Sequence, residues 1–213
     1  MPDAAGADGL TVDGDPPLAV RSWVRTPDRS AHMSVPRHPP ATSTVPEPAW
    51  WLEDPELWSL LAFEGGHDDG LPVDLAWEDR QQVLDDLIRL PGLADIEFAR
   101  FLLVQETHMH GHIWGFNSSI ERAAILLAEH RRVQDVWLLW EAAYRSFDTW
   151  GIMPHRIVYA AGVEPVLRYV ADSGHPQRDH LLEYLHRMDG TTDEQVARLL
   201  ADRRRHYREL ERH

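Results

Sequence analysis

The chain of 213 residues has no cysteine and no lysine; all 21 of its basic residues are arginine. Without thiols it can form no disulfide, no thiolate nucleophile, no iron–sulfur centre and no Cys-type zinc site. Any metal would have to be held by His and carboxylate side chains. No run of about 20 apolar residues could span a bilayer, and no charged-then-apolar N-terminal stretch resembles a secretory leader. The expectation is therefore a cytoplasmic protein without membrane contact. The missing lysine reads as genomic coding bias and carries no function. Sustained period-two alternation of β-branched residues is absent as well, which predicts little or no sheet. A phosphate-cradling glycine loop and a Gly-x-Ser-x-Gly elbow are also lacking, so nothing supports nucleotide use or serine hydrolysis.

Proline is unevenly spread. Residues 1–48 hold nine of the 15 prolines, among many Ala, Gly, Asp, Ser and Thr. Such a composition buries too little apolar surface to offset the entropy of ordering, and marks 1–48 as a flexible tail ahead of a globular domain at 49–213. Within the domain, apolar spacing at three and four residues predicts an all-α fold of eight to nine helices, either a bundle or stacked helical hairpins. Helices are expected at Asp54–Phe63, with Asp54 as cap and Pro55 first, and at Asp74–Leu90, Ala94–His110, Pro154–Ala161, Glu164–Asp172, Pro176–Met188 and Thr192–Leu210. Gly65–Gly70 reads as a loop. Between these lies Asn117–Trp150, a hairpin of two amphipathic helices. Ser118 and Glu121 have the spacing of a capping box, and Ile120, Ala123, Ala124 and Leu127 form the first apolar face. Val133, Val136, Trp137, Trp140, Tyr144 and Phe147 form the second.

Charge is concentrated too. The net charge is −14, and residues 53–97 hold thirteen Asp or Glu against two Arg, a balance of −11. A surface of this kind repels phosphate backbones and steers toward a basic partner, so no nucleic acid is expected. Within it, Asp68, Asp69, Asp85 and Asp86 are candidate contacts for such a partner. Trp50 and Trp51, just before the first helix, are candidate interface anchors because exposed tryptophan is favoured at hot spots. Arg203-Arg204-Arg205 alternates with acids and reads as a solvated face.

The densest chemistry lies at the end of the third helix, in Glu106-Thr107-His108-Met109-His110-Gly111-His112. With Ile96 at zero and steps of 100°, Glu106 falls at about 280° and His110 at about 320°, while His108 falls at about 120° and His112 at about 160°. The cluster thus makes two pairs on roughly opposite sides. An i,i+4 Glu/His or His/His pair can ligate a metal from one helical face if another helix supplies further ligands. Glu106 and His110 are candidate catalytic groups, with Glu106 orienting His110 as a general base. Together with His108 and His112 they are the candidate ligands for a divalent metal such as iron, zinc or manganese. The alternative is structural: histidines beside a glycine capping a helix end. Asp179, Glu183 and His186 recur at i, i+4 and i+7 but lie opposite Leu181, Leu182, Tyr184, Leu185 and Met188, a solvated face. His67-Asp68 sits between glycines, away from the helix a His-Asp metal motif needs.

Two functions follow as expectations. One is an acidic all-α interaction protein that binds a basic protein, as an adaptor or an antitoxin- or immunity-type neutraliser. The other is a helical-bundle enzyme or cofactor binder with its site at Glu106, His108, His110 and His112.

Overall fold

A computed structural model of the protein describes Trp51, residues 54–68 and residues 71–210. The proline-rich stretch 1–48, Trp50 and Asp69 lie outside the described residues, as do the side chains of 66–68 and 71–73. Asp54 caps the first element as its sequence suggests, accepting the Glu56 N–H at 3.0 Å, with Pro55 following. The element is a 3-10 helix, Pro55–Leu61, not an α-helix. Next come strands β1 (Gly65–Asp68) and β2 (Leu71–Asp74), paired antiparallel with Gly65 opposite Asp74 and Asp68 opposite Leu71. The expected loop is thus a small hairpin. Four-residue strands are too short to display a period, which is why alternation does not reveal them.

The helices follow: α1 (Trp77–Arg89), α2 (Ile96–His110), α3 (Ser119–Ala128), α4 (Val136–Ala143), α5 (Phe147–Ile152), α6 (Val163–Ala171), α7 (Arg178–Arg187) and α8 (Asp193–Leu210). Short 3-10 helices at Val133–Asp135 and His155–Tyr159 join them. The fold is all-α. Its centre is α3, every residue of which is buried, and which packs against α1, α2, α4 and α8. One helix enclosed by four others makes a bundle rather than a stack of hairpins.

Two features of the expected hairpin are corrected. Ser118 and Glu121 form no capping box; the Ser119 N–H donates instead to Asn117 Oδ1 at 3.0 Å. Glu121, 1% exposed, points across the bundle to α8. It accepts Arg203 Nε at 2.5 Å, Arg203 Nη2 at 3.1 Å and the Tyr207 hydroxyl at 2.7 Å. A carboxylate in the middle of a bundle needs a cation more than the helix start needs a second cap. The second apolar face also does not run on. Helix α4 stops at Ala143, and Ser146 starts α5 through a capping box with Thr149, Ser146 Oγ accepting the Thr149 N–H at 3.1 Å. Phe147 is left 88% exposed.

Arg203 and Arg204 are likewise structural, not a solvated face. Helix α1 ends with carbonyls that have no partner within the helix. Arg204 donates from Nη2 to Leu87 O at 3.0 Å and Leu90 O at 2.8 Å, and from Nε to Ile88 O at 3.2 Å. Arg208 adds Ile88 O at 2.7 Å and Leu90 O at 2.8 Å. Arg204 also pairs with Glu129. Burial lowers the Arg204 pKa from its usual value and raises that of Glu129, each opposed by the other's charge. Helix α8 therefore caps the end of α1 from outside. Arg204→Ala removes the cation paired with Glu129 and the donor to the Leu87 carbonyl, and is expected to cost about 3–5 kcal/mol of unfolding free energy, measured by denaturant titration.

Candidate functional site

On the inner side of α2, Glu106 and His110 are one helical turn apart, 0% and 1% exposed. Both carboxylate oxygens of Glu106 are engaged: Oε1 accepts Arg80 Nε at 2.8 Å and Oε2 accepts the Ser119 hydroxyl. Arg80 is wholly buried and donates further from Nη1 to Leu61 O and Asp74 Oδ1, both at 3.2 Å, and from Nη2 to Asp74 Oδ2. Burial opposes its charge, but Asp74 and Glu106 outweigh that and raise the guanidinium pKa above its usual value. His110 Nδ1–H donates to the Glu106 carbonyl at 2.8 Å, and Nε2 lies against the Asn117 backbone, 3.1 Å from its oxygen and 3.2 Å from its nitrogen. The candidate catalytic pair is therefore occupied with joining α1, α2, α3, β2 and the first 3-10 helix. Its arrangement fastens elements and leaves no carboxylate oxygen or ring nitrogen of the pair open to a substrate.

His108 and His112 face the other way, as the helical wheel places them. His112 stacks on Phe63 with centroids 5.2 Å apart, and His108 meets the same ring edge-on at 6.5 Å. Burial chiefly, then Arg145 and His112, lower the His108 pKa from its usual 6.5 against the opposing charge of Glu141. The four residues are not brought together. Among the described residues no group of three His, Asp or Glu could hold a metal ion, so no donor set for iron, zinc or manganese is found there.

The candidate partner contacts are scattered. Trp51 is buried at 8% exposure and its carbonyl accepts Trp58 Nε1–H at 2.6 Å, so it belongs to the core and is no exposed anchor. Trp50, Asp69 and the Asp68 side chain lie outside the described residues. Asp85 pairs with Arg122, and Asp86 accepts Arg89 Nη1 at 3.1 Å and Gln82 Nε2 at 3.2 Å. Asp74 pairs with Arg80 and Glu97 with Arg100, while Asp54 and Asp95 cap helices. Of the −11 balance of 53–97, Arg122 and Arg100 from outside the segment offset Asp85 and Glu97.

A different site emerges where α4, α5 and α7 meet. Tyr144, Ser146, Phe147 and Trp150 form one wall of a cleft of about 460 Å³; His180, Glu183, Tyr184 and Arg187 form the other. The break after α4 builds the first wall, because the capped restart at Ser146 turns Phe147 and Trp150 beside Tyr144. On α7, Tyr184 is buried and His180 and Arg187 flank it at helical spacing. The rings cross: Tyr144 and Trp150 at 89° and 5.3 Å, Tyr144 and His180 at 86° and 5.0 Å, Trp150 and Tyr184 at 50° and 4.9 Å. The Tyr184 hydroxyl is buried with no hydrogen-bond partner, and burial, then the neighbouring Tyr159, push its pKa up. At the rim Arg187 donates to Glu183 at 2.5 Å. Next to this cleft the Gly115 N–H donates to Asp148 Oδ2 at 2.9 Å, which ties the loop carrying Trp114, 100% exposed, to the start of α5. Sequence reasoning missed the cleft by merging Tyr144 and Phe147 into one continuous face; the Ser146-x-x-Thr149 spacing was the available signal of a new helix start. No family model, curated protein or solved structure matches the chain.

Two predictions test these assignments. Glu106→Gln keeps the shape but removes the charge facing Arg80, and is expected to cost about 3 kcal/mol in chemical denaturation. For His108 the folded pKa lies below the unfolded one, so the unfolded chain binds more protons and stability falls as pH drops below the ordinary imidazole value of 6.5. His108→Asn should lose less stability than the wild type between pH 7 and pH 5, in unfolding curves recorded across that range.

Proposed function

We propose that this protein is a binding module, of adaptor or neutralising kind, that docks a basic protein on its aromatic cleft. One observation carries the reading: Phe147, 88% exposed, lines a concave surface with other aromatic rings, and the fully exposed Trp114 sits on a loop tied to the same helix start through Gly115 and Asp148. Large apolar side chains left in water beside a cleft mark a recognition surface, and aromatic anchors dominate binding energy at such surfaces. The net charge of −14 and the electron-rich ring faces both favour a cationic partner. Internal ion pairing of the acidic segment moves the expected contact away from Asp85 and Asp86 and toward α5 and α7.

Panning a random-peptide display library against the purified protein tests this. The expected result is enrichment of Lys- or Arg-containing peptides, with affinity reduced about 30-fold in the Trp114→Ala, Phe147→Ala double variant, as for a hot-spot residue. Enrichment of acidic peptides, or equal enrichment on the double variant, overturns the proposal.

A further inference from the structure

We propose that the end of α2 carries a binding site for a small phosphate group, formed by Arg145, His108 and His112. Arg145 lies in the break between α4 and α5. Its guanidinium rests against Gly111, so close that a Cβ on residue 111 would collide with it. The backbone does not ask for glycine at this point. Gly111 is in the right-handed helical region, φ −79° and ψ −10°, where any residue fits. What the missing side chain provides is a seat for the guanidinium.

Three groups that carry N–H donors then meet with no acceptor of the protein among them. Among the described residues, the side chains of Arg145, His108 and His112 make no hydrogen bond and no ion pair. Arg80, Arg203 and Arg204, by contrast, spend their donors on carboxylates. Phe63 orients both imidazoles, stacking on His112 at 5.2 Å and meeting His108 edge-on at 6.5 Å. Burial chiefly, then Arg145, hold the His108 pKa below its usual 6.5; Glu141 opposes them and His112 adds to them. Guanidinium and imidazole are therefore near enough to repel, and an anion shared between them relieves that repulsion.

The number of donors selects the kind of anion. A carboxylate has two oxygens, which a single guanidinium fork satisfies alone. A phosphate group presents three strong acceptor oxygens, enough for the fork and for an N–H of each imidazole. The net charge of −14 keeps long polyanions away, so the ligand is a small phosphate and not a nucleic-acid backbone.

A titration of isotope-labelled protein, followed through the amide resonances of His108, Gly111 and His112, provides the test. The probes are inorganic phosphate, phenyl phosphate and acetate at constant ionic strength. Inorganic phosphate is expected to give saturable shifts, and acetate to bind about tenfold more weakly. Arg145→Gln should weaken phosphate about tenfold and leave the unfolding curve in place, because Arg145 gives up no partner within the protein. Gly111→Ala should have the same effect by pushing the guanidinium off its seat, in a backbone conformation that alanine accepts. Phenyl phosphate binding as tightly as inorganic phosphate assigns the site to a phosphate monoester, and inorganic phosphate binding alone assigns it to the free ion; either upholds it. No saturable shift with inorganic phosphate, acetate as tight as phosphate, or unchanged affinity in Arg145→Gln overturns the proposal. The site does not rest on the docking surface, which the peptide display tests separately.

Discussion

The fold depends on a guanidinium with no access to water. Arg80, on α1, donates to Asp74 of β2, to the Leu61 carbonyl of the first 3-10 helix and to Glu106 of α2, whose other oxygen accepts Ser119 of α3. A buried charge is tolerated only when its partners are arranged around it. Glu106 and Asp74 therefore fix where α2 and β2 can lie relative to α1. Apolar packing alone would allow these helices to slide by small amounts; a fork with set donor directions does not.

The same device recurs at Arg122 with Asp85, Arg203 with Glu121, and Arg204 with Glu129. Here the absence of lysine has physical content. A guanidinium presents five N–H donors in a plane, so Arg204 can pair with Glu129 and serve several carbonyls at once. An ammonium on the same stem has three donors at one point and could not span them. Among the acids between 53 and 97, Asp74 and Asp85 are counter-charges of these forks, and Asp54 and Asp95 cap helices.

Local signals were legible and long-range ones were not. The apolar periods located α2 and α8 to within a residue or two of their observed ends, and the helical wheel placed His108 and His112 away from Glu106 and His110. Where a residue's partner lies far along the chain, periodicity is silent. Arg204 meets Glu129 across 75 residues and Arg203 meets Glu121 across 82, so both arginines read as surface. Glu121 reads as a local cap for the same reason. The cleft was hidden differently, by a helix break within an unbroken apolar rhythm. Once that break is recognised, Tyr144 and Phe147 stop being core and become the wall of a cleft.

Capping of α1 by α8 bears on the order in which the molecule can be completed. The carbonyl of Ile88 is satisfied by a side chain 116 residues further on. A nascent chain emerging from the ribosome would expose the α1 terminus, and the groove that α8 covers, throughout synthesis of everything between them. Closure is therefore a late, single event, and contacts spanning such distances slow folding relative to a bundle assembled from neighbours. Until it occurs, the half-built bundle leaves exposed the apolar surface that α8 will cover.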